Sequence, residues 1–292
     1  MTGLRPRFLL AYKNMNRWTT ARFDIDLSRP RVMGIVNVTP DSFSDGGRHA
    51  GTAAALAHCE QLLAEGADLL DIGGESTRPG SPAVALEEEL ARVLPVVQGA
   101  VTLGVPVSVD TYKPEVMRAV LDAGADIVND IWALRQGDAL QVLAAYPRAG
   151  VCLMHMHRDP QTMQVAPMEG DVVGAVADFL AQRAAALMAA GVQRDRIVLD
   201  PGVGFGKTVD QNFSLIEGQR PLLDAGFAVL AGWSRKSSLG AVTGQEVPAD
   251  RLAASVAAAV LAVDRGARVV RVHDVRATVD ALRVWQAAIM RG

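Results

Sequence analysis

The chain has 292 residues, half of them hydrophobic, and a net charge of −3. That supplies apolar material for a large buried core and excludes the basic excess that nucleic acid or an anionic membrane surface would require. Its two cysteines, Cys59 and Cys152, are too few for a disulfide framework and read as small buried hydrophobes in a reducing compartment.

Residues 1–31 carry scattered arginines, but their apolar stretch Phe8-Leu-Leu-Ala-Tyr12 is too short for a signal-peptide core. No later run reaches the length of a membrane span without a charge or a glycine, so a cytosolic protein is expected. Phe23-Asp-Ile-Asp-Leu27 alternates with period two and predicts a short strand or hairpin leading into the first core strand at Arg31. The expected organisation is an N-terminal extension and hairpin over 1–30, followed by one domain over 31–292.

Six times beyond that point a helical stretch closes on glycine and an apolar run follows at once, at Gly66, Gly104, Gly124, Gly191, Gly226 and Gly266. Gly150, after Pro147, reads the same way. A glycine just past a helix takes the left-handed conformation without penalty, and a strand starting within two residues makes an αβ loop. Strands are predicted over 32–37, 69–73, 105–110, 126–129, 151–155, 197–200, 228–232 and 269–272. Helices are predicted over 52–65, 85–98, 114–123, 138–145, 171–190, 211–225, 249–265 and 275–290. The strands are continuous apolar runs, as in a parallel sheet covered on both faces. Eight βα units in this length predict a TIM (β/α)8 barrel, with an open doubly wound sheet as the alternative.

Each strand ends in chemistry. In order the ends are Asn37, then Glu75-Ser76-Thr77-Arg78, Asp110, Asn129-Asp130, His155, Asp200, Ser234-Arg235-Lys236 and Arg271-Val272-His273. In a barrel these ends meet at one face, where active sites are built. Asp110, Asn129 and Asp200 are the acceptors and amide that read a flat heterocycle with several N–H donors. Lys236, Arg271, Arg78 and His273, with the hydroxyls of Thr77 and Ser234, suit a diphosphate. The polar loop after the first strand adds Asn37, Asp41 and Asp45 as hard oxygen donors for a divalent cation, and Phe43 as an apolar face.

Asn37-Val-Thr-Pro-Asp-Ser-Phe-Ser-Asp-Gly-Gly47, Gly74-Glu-Ser-Thr-Arg-Pro-Gly80, Ser108-Val-Asp110, Asn129-Asp130, Asp200-Pro-Gly-Val-Gly-Phe-Gly-Lys207, Ser234-Arg-Lys-Ser237 and Arg271-Val-His273 together resemble the dihydropteroate synthases, from about Arg31 to the end of the chain. The resemblance implies a pterin-binding barrel that condenses 6-hydroxymethyl-7,8-dihydropterin diphosphate with p-aminobenzoate, releasing pyrophosphate and forming 7,8-dihydropteroate. It implies that Asp110, Asn129, Asp200 and Lys236 hold the pterin, with Met154, Phe205 and Arg271 against its ring. Thr77, Arg78, Arg271 and His273, on the segment that includes Val272, would hold the diphosphate, and Asn37 with Asp45 would hold Mg2+. Phe43, Asp45, Pro79 and Ser237 would enclose p-aminobenzoate. Asp110, Asp200 and Lys236 would carry the chemistry, and Phe43 and Asp45 would close over it. A homodimer is implied through the Ala-rich segments 251–263 and 281–290.

Other readings are weaker. Gly202-Val-Gly204-Phe-Gly206-Lys207-Thr208 fails the P-loop spacing at Pro201 and the dinucleotide fingerprint at Lys207. His155 and His157 lack a third zinc ligand nearby. Lys236 as a Schiff-base lysine fits poorly beside Arg235 and its hydroxyl neighbours, and Asp130 stands open between barrel interior and substrate. A pterin-binding methyltransferase or a catalytically silent paralogue remains the alternative function.

Overall fold

A short antiparallel hairpin, β1 (Arg17–Thr19) and β2 (Asp24–Asp26), precedes eight parallel strands: β3 (Arg31–Asn37), β4 (Leu69–Gly73), β5 (Val107–Asp110), β6 (Ile127–Asp130), β7 (Gly150–Met154), β8 (Ile197–Asp200), β9 (Ala228–Ala231) and β10 (Val269–Val272). They pair in chain order and β10 pairs back onto β3, which closes the barrel. This computed structural model describes residues 16–38, 47–77, 80–163 and 165–289. Helices α1 (Gly47–Glu65), α2 (Leu86–Ala100), α3 (Pro114–Asp122), α4 (Ala139–Ala145), α5 (Val172–Ala189), α6 (Val209–Glu217), α7 (Arg220–Asp224), α8 (Ser237–Thr243), α9 (Leu252–Asp264) and α10 (Val275–Ile289) connect them. The architecture is a TIM barrel, and the open-sheet alternative is set aside.

The six glycines after helices have φ between 75° and 115°, the left-handed geometry that Cβ disfavours elsewhere. Gly150 differs. It is the first residue of β7, and a Cβ there would lie 3.1 Å from both Trp18 Nε1 and Thr20 Cγ2, so its smallness admits the hairpin. β5 starts two residues later than expected because Pro106 has no N–H for the ladder, although its carbonyl still accepts from Leu70 N at 3.1 Å. The helix expected over 211–225 is two, α6 and α7, with Pro221 in the first turn of the second. α8 was not anticipated.

Strand parity sorts the side chains. One set fills the space between barrel and helices, as Val36, Ile72, Val109, Val270 and Val272 do on one side and Val128, Leu153, Leu199 and Val229 on the other. The other set points inward. Its lower layer is apolar, with Met33, Leu69, Ile127, Cys152, Val198, Leu230 and Val269 packed on Trp18, Ile25 and Leu27 from the hairpin. The hairpin therefore plugs the N-terminal mouth. Trp18 donates from Nε1 to the Arg196 carbonyl at 3.0 Å, and Arg22 makes two bonds to buried Asp126, at 3.0 and 2.6 Å.

α5 is long and apolar enough to cross a membrane by length and composition, but Val176, Leu180, Ala184 and Leu187 are buried against the barrel.

Candidate active site

Above the apolar layer the inward positions turn polar, and a cavity of about 580 Å³ opens at the C-terminal mouth. Asn37, Asp110, Asn129, Met154, Asp200, Arg271 and His273 line it from six strand ends, joined by Thr77, Phe205 and Lys236 from the loops and Ser237 from the start of α8. These residues lie up to 236 positions apart in sequence, from Asn37 to His273, and barrel closure brings them together. Val272 is a correction. Its side chain is buried on the outer face, because alternation along β10 sends Arg271 and His273 inward and the residue between them outward. Phe43, Asp45, Arg78 and Pro79 lie outside the described residues.

Parity also settles Asp130 and His155. Asp130 faces away from the cavity and accepts Trp132 N and Leu134 N at 2.8 and 2.7 Å, bracing a turn in which Ala133 and Leu134 have positive φ. His155 packs edge-on to Phe179, with ring centroids 5.0 Å apart. Burial, with nearby Lys207 and Arg135, drives its pKa down to about 2, so it is a neutral packing residue.

The cavity floor is an ionic lattice. Arg271 donates from Nε to Asp71 Oδ2 at 2.5 Å and from Nη2 to Asp110 Oδ2 at 2.8 Å. Burial works against its charge, but the carboxylates of Asp71 and Asp110 outweigh it and hold its pKa above the ordinary value. Burial raises the Asp110 carboxyl to about 7, with Arg271 opposing and Asp71 adding to the rise. Asp200 is raised by burial too, against the Gly202 N–H that its Oδ1 accepts at 2.7 Å and the charge of Lys236. Asp71, one step below the strand ends, carries no sequence signal of this role, because it lies within the fully buried strand Leu69–Gly73.

One wall is apolar. Ile131, Met154, Met156, Met163 and Phe205 form a buried cluster, with the Lys236 ammonium 4.2 Å from the centre of the Phe205 ring. Met163 arrives from the β7–α5 loop, where no periodicity marks it. Phe205 sits on the loop after β8, folded around Lys207, whose ammonium donates to the carbonyls of Gly202 at 2.8 Å, Phe205 at 3.1 Å and His155 at 3.3 Å. Gly202 has φ 69°, and a Cβ there would lie 1.8 Å from the His155 carbonyl oxygen. No other residue fits.

The adjoining wall is polar and cationic. Ser234 Oγ lies 2.9 Å from His273 Nδ1 and accepts the His273 backbone N–H at 3.1 Å. Arg235 has φ 59° and pairs with Asp274 at 2.6 Å; both Arg235 and Lys236 line the cavity. Glu75, also at the cavity, accepts from Tyr112 Oη at 2.8 Å and pairs with Lys113, which also pairs with buried Glu89. With the bond from Arg92 to the Gly74 carbonyl, 2.7 Å long, these contacts anchor the base of the loop that carries Thr77.

Among the described residues no group of three or more histidines, cysteines or carboxylates could hold a metal ion. Asn37 offers an amide oxygen at the cavity edge. That donor suits Mg2+ arriving with a diphosphate, because this ion keeps few protein ligands and takes the rest from phosphate and water.

A barrel whose mouth joins hydrogen-bond acceptors to cations is a site for a heterocycle that carries an anionic group. A family model described as pterin binding enzyme matches residues 33–273. A dihydropteroate synthase of Neisseria meningitidis serogroup B is 52% identical over 275 residues, covering 92% of this chain and 96% of its own. The Xanthomonas albilineans dihydropteroate synthase with 4-aminobenzoic acid superposes with a TM-score of 0.88 at 54% identity, over 94% of this chain and 98% of that one. The Burkholderia cenocepacia enzyme complexed with 7,8-dihydropteroate gives 0.85 at 52%, over 95% and 98%. The chain belongs to the pterin-binding enzymes and, within them, to the dihydropteroate synthases.

Proposed function

We propose that this cavity performs the dihydropteroate synthase reaction as a dissociative substitution, joining 6-hydroxymethyl-7,8-dihydropterin diphosphate to p-aminobenzoate. The observation that carries the reading is the adjacency of two unlike walls: Met154, Ile131 and Phe205 form an apolar face above Asp110 and the buried Asn129 and Asp200, next to Lys236, Arg271 and His273. A pterin ring fits the first wall, with its N–H groups on the acceptors, and the diphosphate meets the second with Thr77.

The carbon–oxygen bond to the diphosphate breaks and its electron pair leaves on pyrophosphate. Asp110 and Asp200, poised beside the ring, stabilise the cationic methylene left behind. The aniline nitrogen of p-aminobenzoate, already neutral at pH 7, supplies its lone pair to form the carbon–nitrogen bond and then releases a proton to solvent. No strong general base is needed. Lys236 holds the pterin edge above Phe205. Mg2+ held at Asn37, with Asp45, would neutralise charge on the departing pyrophosphate. Arg78 would add a cation to the diphosphate, and Phe43, Asp45, Pro79 and Ser237 would cover p-aminobenzoate and exclude water from the cation.

Family membership also supports a homodimer through α9 and α10, where Leu261 and Val284 are 48% and 72% exposed, and a cytosolic setting. The methyltransferase alternative has no use for an anion wall built by Ser234, His273 and Lys236. Dihydropteroate formation by Asp200→Ala and Lys236→Ala beside the unmodified chain tests the assignment. Both variants should fall by at least about tenfold, and full activity in either would overturn its role.

A further inference from the structure

Asp71 stands in the middle of β4 with no exposure to solvent and touches no part of the cavity surface, yet three side chains converge on it. Ser108 Oγ donates to Oδ1 at 2.6 Å. Asn129 Nδ2 donates to Oδ2 at 3.2 Å and Arg271 Nε donates to the same oxygen at 2.5 Å. The last two both line the cavity.

An ionised carboxylate can only accept. Its partners are therefore fixed in sense as well as in place. Asn129 must turn its NH2 down toward Asp71, which leaves its amide oxygen as the group available to a ligand. Arg271 must present Nε to Asp71, and this brings Nη2 onto Asp110, so that the guanidinium spans two strands as a rigid plate. Asp71 and Arg271 form an ion pair with Nε 2.5 Å from Oδ2. One buried anion thus decides which faces of Asn129, Arg271 and Asp110 are left for a substrate.

We propose that Asp71 is a positioning residue that sets the donor and acceptor pattern shown to the heterocycle, holding Asn129 as an acceptor and Arg271 in the plane that orients Asp110. This rests on the cavity being the pterin site. The isosteric Asp71→Asn removes that rule, because an amide can donate as readily as it accepts. Asn129 can then rotate and face the ligand with its NH2, and Arg271 loses a charged partner.

The test measures pterin binding by calorimetry with 6-hydroxymethylpterin, and steady-state kinetics with both substrates, on D71N, N129A, the double variant and S108A. Thermal unfolding monitors the fold. Pterin affinity of D71N is expected to fall roughly 10- to 100-fold, with KM for the pterin diphosphate rising and KM for p-aminobenzoate unmoved. The loss should shrink when Asn129 is already alanine, since the two act as a unit. S108A removes a partner of Asp71 that faces no ligand, and it should retain pterin affinity. If D71N lowers only the unfolding temperature and binds pterin as the unmodified chain does, or if its loss is additive with N129A, Asp71 is a packing residue and the proposal falls. If the unmodified chain itself binds no pterin, the reading of the cavity fails first and takes this assignment with it.

Discussion

The ammonium of Lys207 lies 2.8 Å from the carbonyl oxygen of Gly202, and with the carbonyls of Phe205 and His155 it folds the loop after β8 around a buried cation. That loop delivers Phe205 to the apolar wall, so Lys207, itself buried, sets the shape of the proposed pterin slot. Lys207→Met fills similar space but removes the ammonium from three carbonyls and leaves that of His155 without it, while Gly202 and Phe205 keep only the backbone N–H of Phe205 and of His157. It should cost on the order of 3 kcal/mol of stability and weaken pterin binding, as read by chemical denaturation and calorimetry.

Asp110 gives the site a pH dependence. Its carboxyl, with an ordinary value of 3.8, is raised to about 7, so it is protonated below neutrality and ionised above. Ligand N–H donors prefer the ionised form, and pterin affinity should climb as pH rises from about 6 to about 8. For stability the sign is opposite. The folded carboxyl binds its proton more tightly than the unfolded one, so its stabilising share is complete below the ordinary range and is lost as pH rises through about 7. Asp110→Asn should flatten both profiles, and a binding profile unchanged in that variant would assign the titration elsewhere.

On the proposed reading, Ser234 serves diphosphate recognition and not ring recognition. Its hydroxyl holds the His273 ring and backbone. In Ser234→Ala the ring loses its stop, and KM for the pterin diphosphate should rise roughly tenfold while affinity for pterin lacking the diphosphate stays unchanged. An equal loss for both ligands would place Ser234 in general packing.

Trp18 reports on the other end of the barrel. It is fully buried under the apolar inner layer, opposite the catalytic mouth. Trp18→Ala should lower stability by about 3 to 5 kcal/mol and leave both KM values near those of the unmodified chain, measured below its unfolding range.

The barrel was legible because apolar runs and post-helical glycines recur with little variation, and those signals are local. Which strand-end residue faces the cavity was less so. A run such as Ile127 to Asp130 is buried on both faces, and without apolar–polar alternation nothing marks which side each residue takes. Asn129 and Asp130 are neighbours in sequence, yet one lines the cavity and the other braces a turn outside it. Asp71 was hidden for the same reason, as an acidic residue inside an apolar strand whose partners lie 37, 58 and 200 positions away. Met163 and α8 carry little local pattern: one is an apolar residue in a loop, and the other is a seven-residue helix whose glycine and hydroxyls resemble a turn.

The most direct test of the central claim is pyrophosphate release by the purified protein from 6-hydroxymethyl-7,8-dihydropterin diphosphate with Mg2+, measured with and without p-aminobenzoate. Release that depends on p-aminobenzoate and matches the dihydropteroate formed is the predicted result. Tight pterin binding with no pyrophosphate under either condition would contradict it.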